Sequence, residues 1–217
     1  MNRATRVAIS TIGVYAGLLG AVHGTLETLQ GDIAPSGIGI NAIGAPCQGD
    51  AVWHACLPAM TLISNFLVTG ILAIIISLII VVWAAVFIQR KNSGLILILL
   101  SILMLLVGGG FIPAFTGIIA GVAGTRINSS FGFWRTRLSG SARSFLAKLW
   151  PWTLIAFVGW SFGGWILGYF FNQAMIALSF VIFFFCDLGL PLLTVLTGFT
   201  RDIHDRDRTV VGFYKNC

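Results

Sequence analysis

All thirteen Lys and Arg residues of this chain fall in four short segments, and the sequence between them is long, apolar and almost free of charge. The four segments hold Arg3 and Arg6; Arg90 and Lys91; Arg126, Arg135, Arg137, Arg143 and Lys148; and Arg201, Arg206, Arg208 and Lys215. Four apolar runs dominate the remainder, at residues 7–29, 59–88, 152–171 and 174–200. Each is near or above the roughly 20 residues that a helix needs to cross about 30 Å of hydrocarbon. Only 9% of the residues are charged and 57% are hydrophobic, whereas a soluble domain carries roughly a quarter charged residues. The expected fold class is all-α, a polytopic integral membrane helix bundle in which residues 1–217 form one membrane domain. The first run follows a basic start, as in a signal peptide, but no clean small-x-small cleavage site follows it. It reads as a retained first span.

Residues 94–124 are ambiguous. They make 31 uncharged residues, about 46 Å as one straight helix, too long for one comfortable crossing and short for two. Charge favours two. A single crossing would put nine of the thirteen basic residues on the side opposite the other four. If the segment instead returns to the side it left, all thirteen share one side, which the positive-inside rule makes cytoplasmic. Both termini are then cytoplasmic, in a plasma or inner membrane. The turn is expected at Gly108, Gly109 and Gly110, with Pro113 just after, because glycine lowers helix propensity and proline cannot donate to the ladder. The segment therefore reads as a hairpin of helices 95–107 and 111–124. It makes six spans if it crosses fully and a re-entrant loop if it does not. The same reading leaves an outer loop at 30–58, a cytoplasmic connector at 125–151 and a cytoplasmic tail at 201–217.

Small residues suggest where helices meet, since close backbone approach drives association in lipid. Ala114, Gly117, Gly121 and Gly124 form one such set, and Gly159, Gly163, Gly164 and Gly168 another. These are expected packing faces, within the protomer or toward a second copy or a partner subunit. Aromatic residues alternate with Arg135, Arg137, Arg143 and Lys148 in the connector, a pattern expected to lie along the inner leaflet with its cations on anionic headgroups. The net charge of +6 is thus assigned to topology and lipid, and no nucleic-acid partner is expected. The mixed-sign stretch 201–208 reads as solvated.

Few residues offer chemistry. Asp187 lies thirteen residues from either end of its run, with Gly189 and Pro191 close behind. An ionisable group near mid-bilayer is costly and is a functional candidate by default; the competing reading is an acid bonded to a carbonyl freed by Pro191. His23 and Glu27 share a helix face four residues apart, with Asn65 expected at a similar depth and Gln30, Asp32, Asp50 and His54 in the adjoining loop. An imidazole–carboxylate pair relays protons, but without a further close His or Cys no metal site is expected, and no cofactor. Cys47 and Cys56 lie in the outer loop and are expected to form a disulfide. A Cys-x8-Cys in a first outer loop is similar to that of claudin-like proteins, but the paired tryptophans of that family are absent before Cys47, so nothing is carried over. No Walker, HExxH, GxSxG or CxxC motif occurs, and an enzyme is not expected. Two classes stand: a small proton- or cation-linked transporter or channel using Asp187, His23, Glu27 and Asn65, or a non-catalytic subunit or scaffold packing through its glycine faces.

Overall fold

The computed structural model describes residues 2–43, 47–48, 52–54, 56–129 and 132–215, and only the backbone at 132–133, 135 and 209–215. Asp50 and the side chain of Arg135 lie outside the described residues. Four helices are long and apolar enough to cross a membrane: Arg3–Gln30, Phe66–Phe87, Gly140–Phe170 and Ser179–Arg208. Two shorter apolar helices, Ser93–Leu106 and Phe111–Gly124, lie between the second and third.

The first helix, α1 (Arg3–Gln30), is the centre of the bundle and touches the second, fourth and last helices. Its glycines explain how. Gly13 sits against Ala84, Gly17 against Ser77 and Val81, and Gly24 against Gly70 and Ala73, each too close for a Cβ on the glycine. These contacts bring α1 onto α2 (Phe66–Val82, continued by a π-helical stretch Trp83–Phe87) backbone to backbone. A core of Ile9, Ile12, Ile80, Ile88, Leu97 and Phe157 fills the space around this pair.

Two boundaries differ from the apolar runs. The run from residue 59 does not begin as helix: β2 (Pro58–Met60) pairs antiparallel with β1 (Gly39–Asn41), in the register Ile40 to Ala59. The helix starts at Phe66, where the Asn65 side chain accepts from the Val68 amide at 3.0 Å, a cap that answers one orphan N–H. The tail also differs. Helix α9 (Leu190–Lys215) runs straight through the stretch read as solvated, and Asp202 and Ile203 are buried. The Asp202 carboxylate accepts from the amides of Ala4 at 3.1 Å and Thr5 at 2.8 Å, capping α1 from a remote helix. Arg206 binds Asn2, whose amide donates to the Ile127 carbonyl. These bonds bring residues 2–6, 126–129 and 201–206 to one end of the bundle, here the basic end.

The hairpin is formed by α3 (Ser93–Leu106) and α4 (Phe111–Gly124). Gly94 packs on Gly121 and Gly124, and Gly117 on Ser101, so its glycines join the two arms inside the protomer. Its turn lies at the opposite, loop end. There the non-helical backbone is answered by protein: Gly108 N–H donates to Met60 O at 2.9 Å, Leu62 N–H to Leu106 O at 3.0 Å, and Thr69 Oγ1 to Val107 O at 2.7 Å.

After a short α5 (Gly132–Arg137), the helix α6 (Gly140–Phe170) runs unbroken through Pro151. The second half of the expected connector is therefore helical, the first third of α6. Ser139 caps it, accepting from the Ala142 amide at 3.2 Å. The return passes through α7 (Asn172–Ala177), α8 (Ser179–Ile182) and a π-helical stretch, Phe183–Gly189, into α9. Pro191 gives a physical reason for the widened turns: it has no N–H for the Asp187 carbonyl four residues back and its ring crowds that carbonyl.

Candidate functional site

Asp187 sits in that π-helical stretch and points back at α6, where Trp160 donates its indole N–H to Oδ1 at 2.9 Å. Its partner is a side chain and not a freed backbone carbonyl, so the competing reading of Asp187 as a brace for Pro191 does not describe the bond observed. Trp160 was not legible as a candidate, although a tryptophan well inside a span, away from the interfaces where the residue collects, needs an acceptor for its N–H.

Asp187 and Trp160 line a cavity together with Tyr15, Leu19, His23 and Ser161. The cavity measures about 40 Å³, room for roughly three waters at about 10–15 Å³ each. It is far smaller than the roughly 300–1,000 Å³ of organic ligand sites. A wider apolar groove of about 430 Å³ shares Tyr15 and Ser161 with it and runs between α1 and α6 along Val14, Leu18, Val158 and Phe162. Tyr15 is held edge-on to Phe157, ring centroids 5.5 Å apart.

The disulfide loop closes on the same cavity. Cys47 and Cys56 are bonded, their Cα atoms 5.2 Å apart. Between them, the Trp53 amide donates to Asn172 Oδ1 at 2.8 Å, and its indole fills the space that Gly168 leaves open. His54, strained at a φ of 59°, stacks on Trp165 with centroids 5.3 Å apart and 29° between planes. Burial pushes the His54 imidazole down to about 4, leaving it neutral at physiological pH.

His23 lies on α1 and lines the cavity, whereas Glu27, one turn on, meets the hairpin turn. The glycine turn and this pair, two separate features of the sequence, are in contact. Gly108 and Gly110 both have positive φ, 95° and 86°. A Cβ on Gly108 would overlap the Glu27 carboxyl, and one on Gly110 would overlap the His23 ring. Glu27 is 0% exposed, and neither of its oxygens has a hydrogen-bond partner. His23 is 5% exposed with Nδ1 unpartnered.

The remaining candidates separate from this site. Asn65 caps α2 and gives its amide to Asp32, which accounts for both of its polar atoms without a relay. The four glycines of α6 do not share a face: at about 100° per residue, Gly159 and Gly164 lie about 140° apart. Gly168 packs on Trp53 and Gly164 on Trp160, whereas a Cβ on Gly159 or Gly163 would meet open space. Arg143 forms an ion pair with Asp207 at 3.4 Å, while Lys148 is exposed and Arg137 is engaged as well as exposed. Among the described residues no group of three or more His, Cys, Asp or Glu side chains could hold a metal ion. Gly13, Gly17 and Gly24 were missed as packing residues. Their signal was present as small residues at near-heptad spacing on one apolar helix.

No protein-family model matches the chain, no curated protein matches it, and no solved structure matches it.

Proposed function

We propose that this is an integral membrane conduit, a small proton- or cation-linked transporter or channel, with Asp187 at its centre. The observation that carries the reading is the shared cavity: Asp187 from one span and His23 from another open on the same small, water-sized space. A bundle that only needed to be stable would fill such a space with apolar side chains, since buried polar groups are costly unless paired. The cavity suits water and small ions and not an organic solute. Positive-inside asymmetry places the basic end, with both termini, in the cytoplasm and the disulfide loop outside. Lys148 and Arg137 then stand where anionic headgroups lie.

The test is flux in proteoliposomes under imposed proton or cation gradients, wild type beside Asp187→Asn. Wild-type flux that the substitution abolishes, with the fold retained, is the expected result. No flux in either protein under any gradient overturns the conduit.

A second reading, a non-catalytic subunit of a larger membrane assembly, is favoured by one observation. A Cβ on Gly159 or Gly163 of α6 would meet nothing within 4 Å, a surface on which a second copy or a partner helix can approach closely.

A further inference from the structure

The buried Glu27 carboxyl has a consequence for which ion moves. We propose that Glu27 is a proton-binding site, held neutral against the glycine turn of the hairpin, and that the proton is the ion this conduit carries. The second half rests on the conduit reading; the first stands on the geometry of Glu27 alone.

Three observations converge. First, Glu27 is 0% exposed and neither oxygen accepts a hydrogen bond. A bare carboxylate in that setting would be left uncompensated, whereas a carboxylic acid carries no net charge to solvate. Second, nothing nearby supplies a fixed positive charge. No Lys or Arg occurs at 7–89, 92–125 or 149–200. The elements packed around Glu27 are ionically silent: the turn 107–113 and the segment 58–69 contain no titratable side chain. Among the described residues, the ionisable groups of the neighbouring segments are His23 on the same helix, His54 in the loop, and Asp32, which receives the Asn65 amide. Third, Glu27 lies in the last turn of α1, where the helix dipole is negative and opposes a second negative charge.

The same observations argue against a metal cation. Such an ion needs several oxygen or nitrogen ligands, and the described residues bring no third ligating side chain to this pair. A proton needs one oxygen and no cavity. It passes from Glu27 to solvent or to His23, whose Nδ1 is free of any hydrogen bond. His23 in turn opens on the water-sized cavity that leads to Asp187. The hairpin turn holds both His23 and Glu27 in place through Gly110 and Gly108. It is therefore the element whose movement would expose them.

The experiment is infrared spectroscopy of the full chain in lipid at neutral pH, comparing wild type, Glu27→Gln and Asp187→Asn. The expected result is a protonated-carboxyl stretch, shifted in heavy water, with a component that Glu27→Gln removes and Asp187→Asn leaves. A spectrum unchanged by Glu27→Gln overturns the site. Gln carries two amide hydrogens where the protonated acid has one, so Glu27→Met, neutral and apolar, is the second variant where Glu27→Gln does not fold, and a spectrum unchanged by it overturns the site. In proteoliposomes, proton flux lost in Glu27→Gln supports the proton as the carried ion, and flux of sodium or potassium without protons overturns it. A Glu27 band without flux of any ion leaves the site standing and removes the conduit, so the two proposals fail separately.

Discussion

The bundle buries two carboxyl groups at the two ends of one helix, and it treats them in opposite ways. At the basic end, Asp202 is 5% exposed and accepts from two backbone amides of α1. At the loop end, Glu27 is 0% exposed and accepts from nothing. Asp202 meets the positive end of the α1 dipole and Glu27 sits at its negative end. Asp202 is thereby explained as structure: it supplies the cap that the first turn of α1, with no acidic residue of its own, lacks. Glu27 has no such account, and an unexplained buried acid in a span is a functional candidate. The difference teaches that burial alone does not mark a site. The missing partner does.

Substitutions at the glycine turn should give the largest effect. Gly108→Ala and Gly110→Ala each place a methyl group on Glu27 or His23 at a positive φ. Each is expected to cost about 2–5 kcal/mol, from overpacking and backbone strain together. Thermal melting in detergent or nanodiscs reads this directly, and an unshifted melt would mean that Glu27 and His23 do not sit against the turn. The two acids themselves come next. Asp202→Ala should lower stability by about 1–3 kcal/mol through two unanswered amides, whereas Glu27→Gln, which breaks no hydrogen bond, should cost less than Asp202→Ala. Equal losses at both positions would erase the contrast.

His54 extends the comparison to a base at the loop end. Its imidazole is held at about 4 against an ordinary 6.5. Between those values the unfolded or undocked loop binds more protons than the docked one. The contribution is therefore complete above about pH 6.5 and is lost as the pH falls toward 4, on the order of 1–2 kcal/mol after allowance for partial exposure. Tryptophan fluorescence from Trp53 and Trp165, which flank His54, should change over that window in wild type. The same acid titration of His54→Gln should be flat; a change that persists in the variant assigns it elsewhere. The smallest effect is expected at Gly163. A Cβ there would meet nothing within 4 Å, so Gly163→Leu should leave monomer stability within about 0.5 kcal/mol. If it instead dissociates an assembly on a sizing column, the outward face of α6 is an interface.

Much of the architecture was legible in the residues themselves. The long apolar runs at 7–29, 152–171 and 174–200 correspond to helices, because a hydrocarbon solvent imposes length and composition on each segment separately. The hairpin turn was legible for a local reason too: glycine and proline act on their own backbone. The disulfide followed from two cysteines in one short loop. Where the reading went astray, the deciding partner was far away in sequence. Residues 59–65 look like the start of a span, but 39–41 and the hairpin turn claim them as extended chain. Residues 201–208 look solvated, but Asp202 and Arg206 reach the far end of the sequence. The glycines of α6 look like one stripe, but α6 turns two of them inward and two outward.

The sequence by itself determined that this is a bundle of long apolar helices with its basic residues confined to four segments between and beside the apolar runs, because those properties are summed residue by residue. It also nominated Asp187, His23, Glu27 and the glycine turn, since polar or helix-breaking residues in an apolar run stand out without neighbours. Only the tertiary structure decided which of them meet. Packing alone sets Glu27 against Gly108, His23 against Gly110, and Asp187 and His23 on one cavity. Whether a buried polar group is satisfied depends on donors brought by other segments, and no local pattern encodes them.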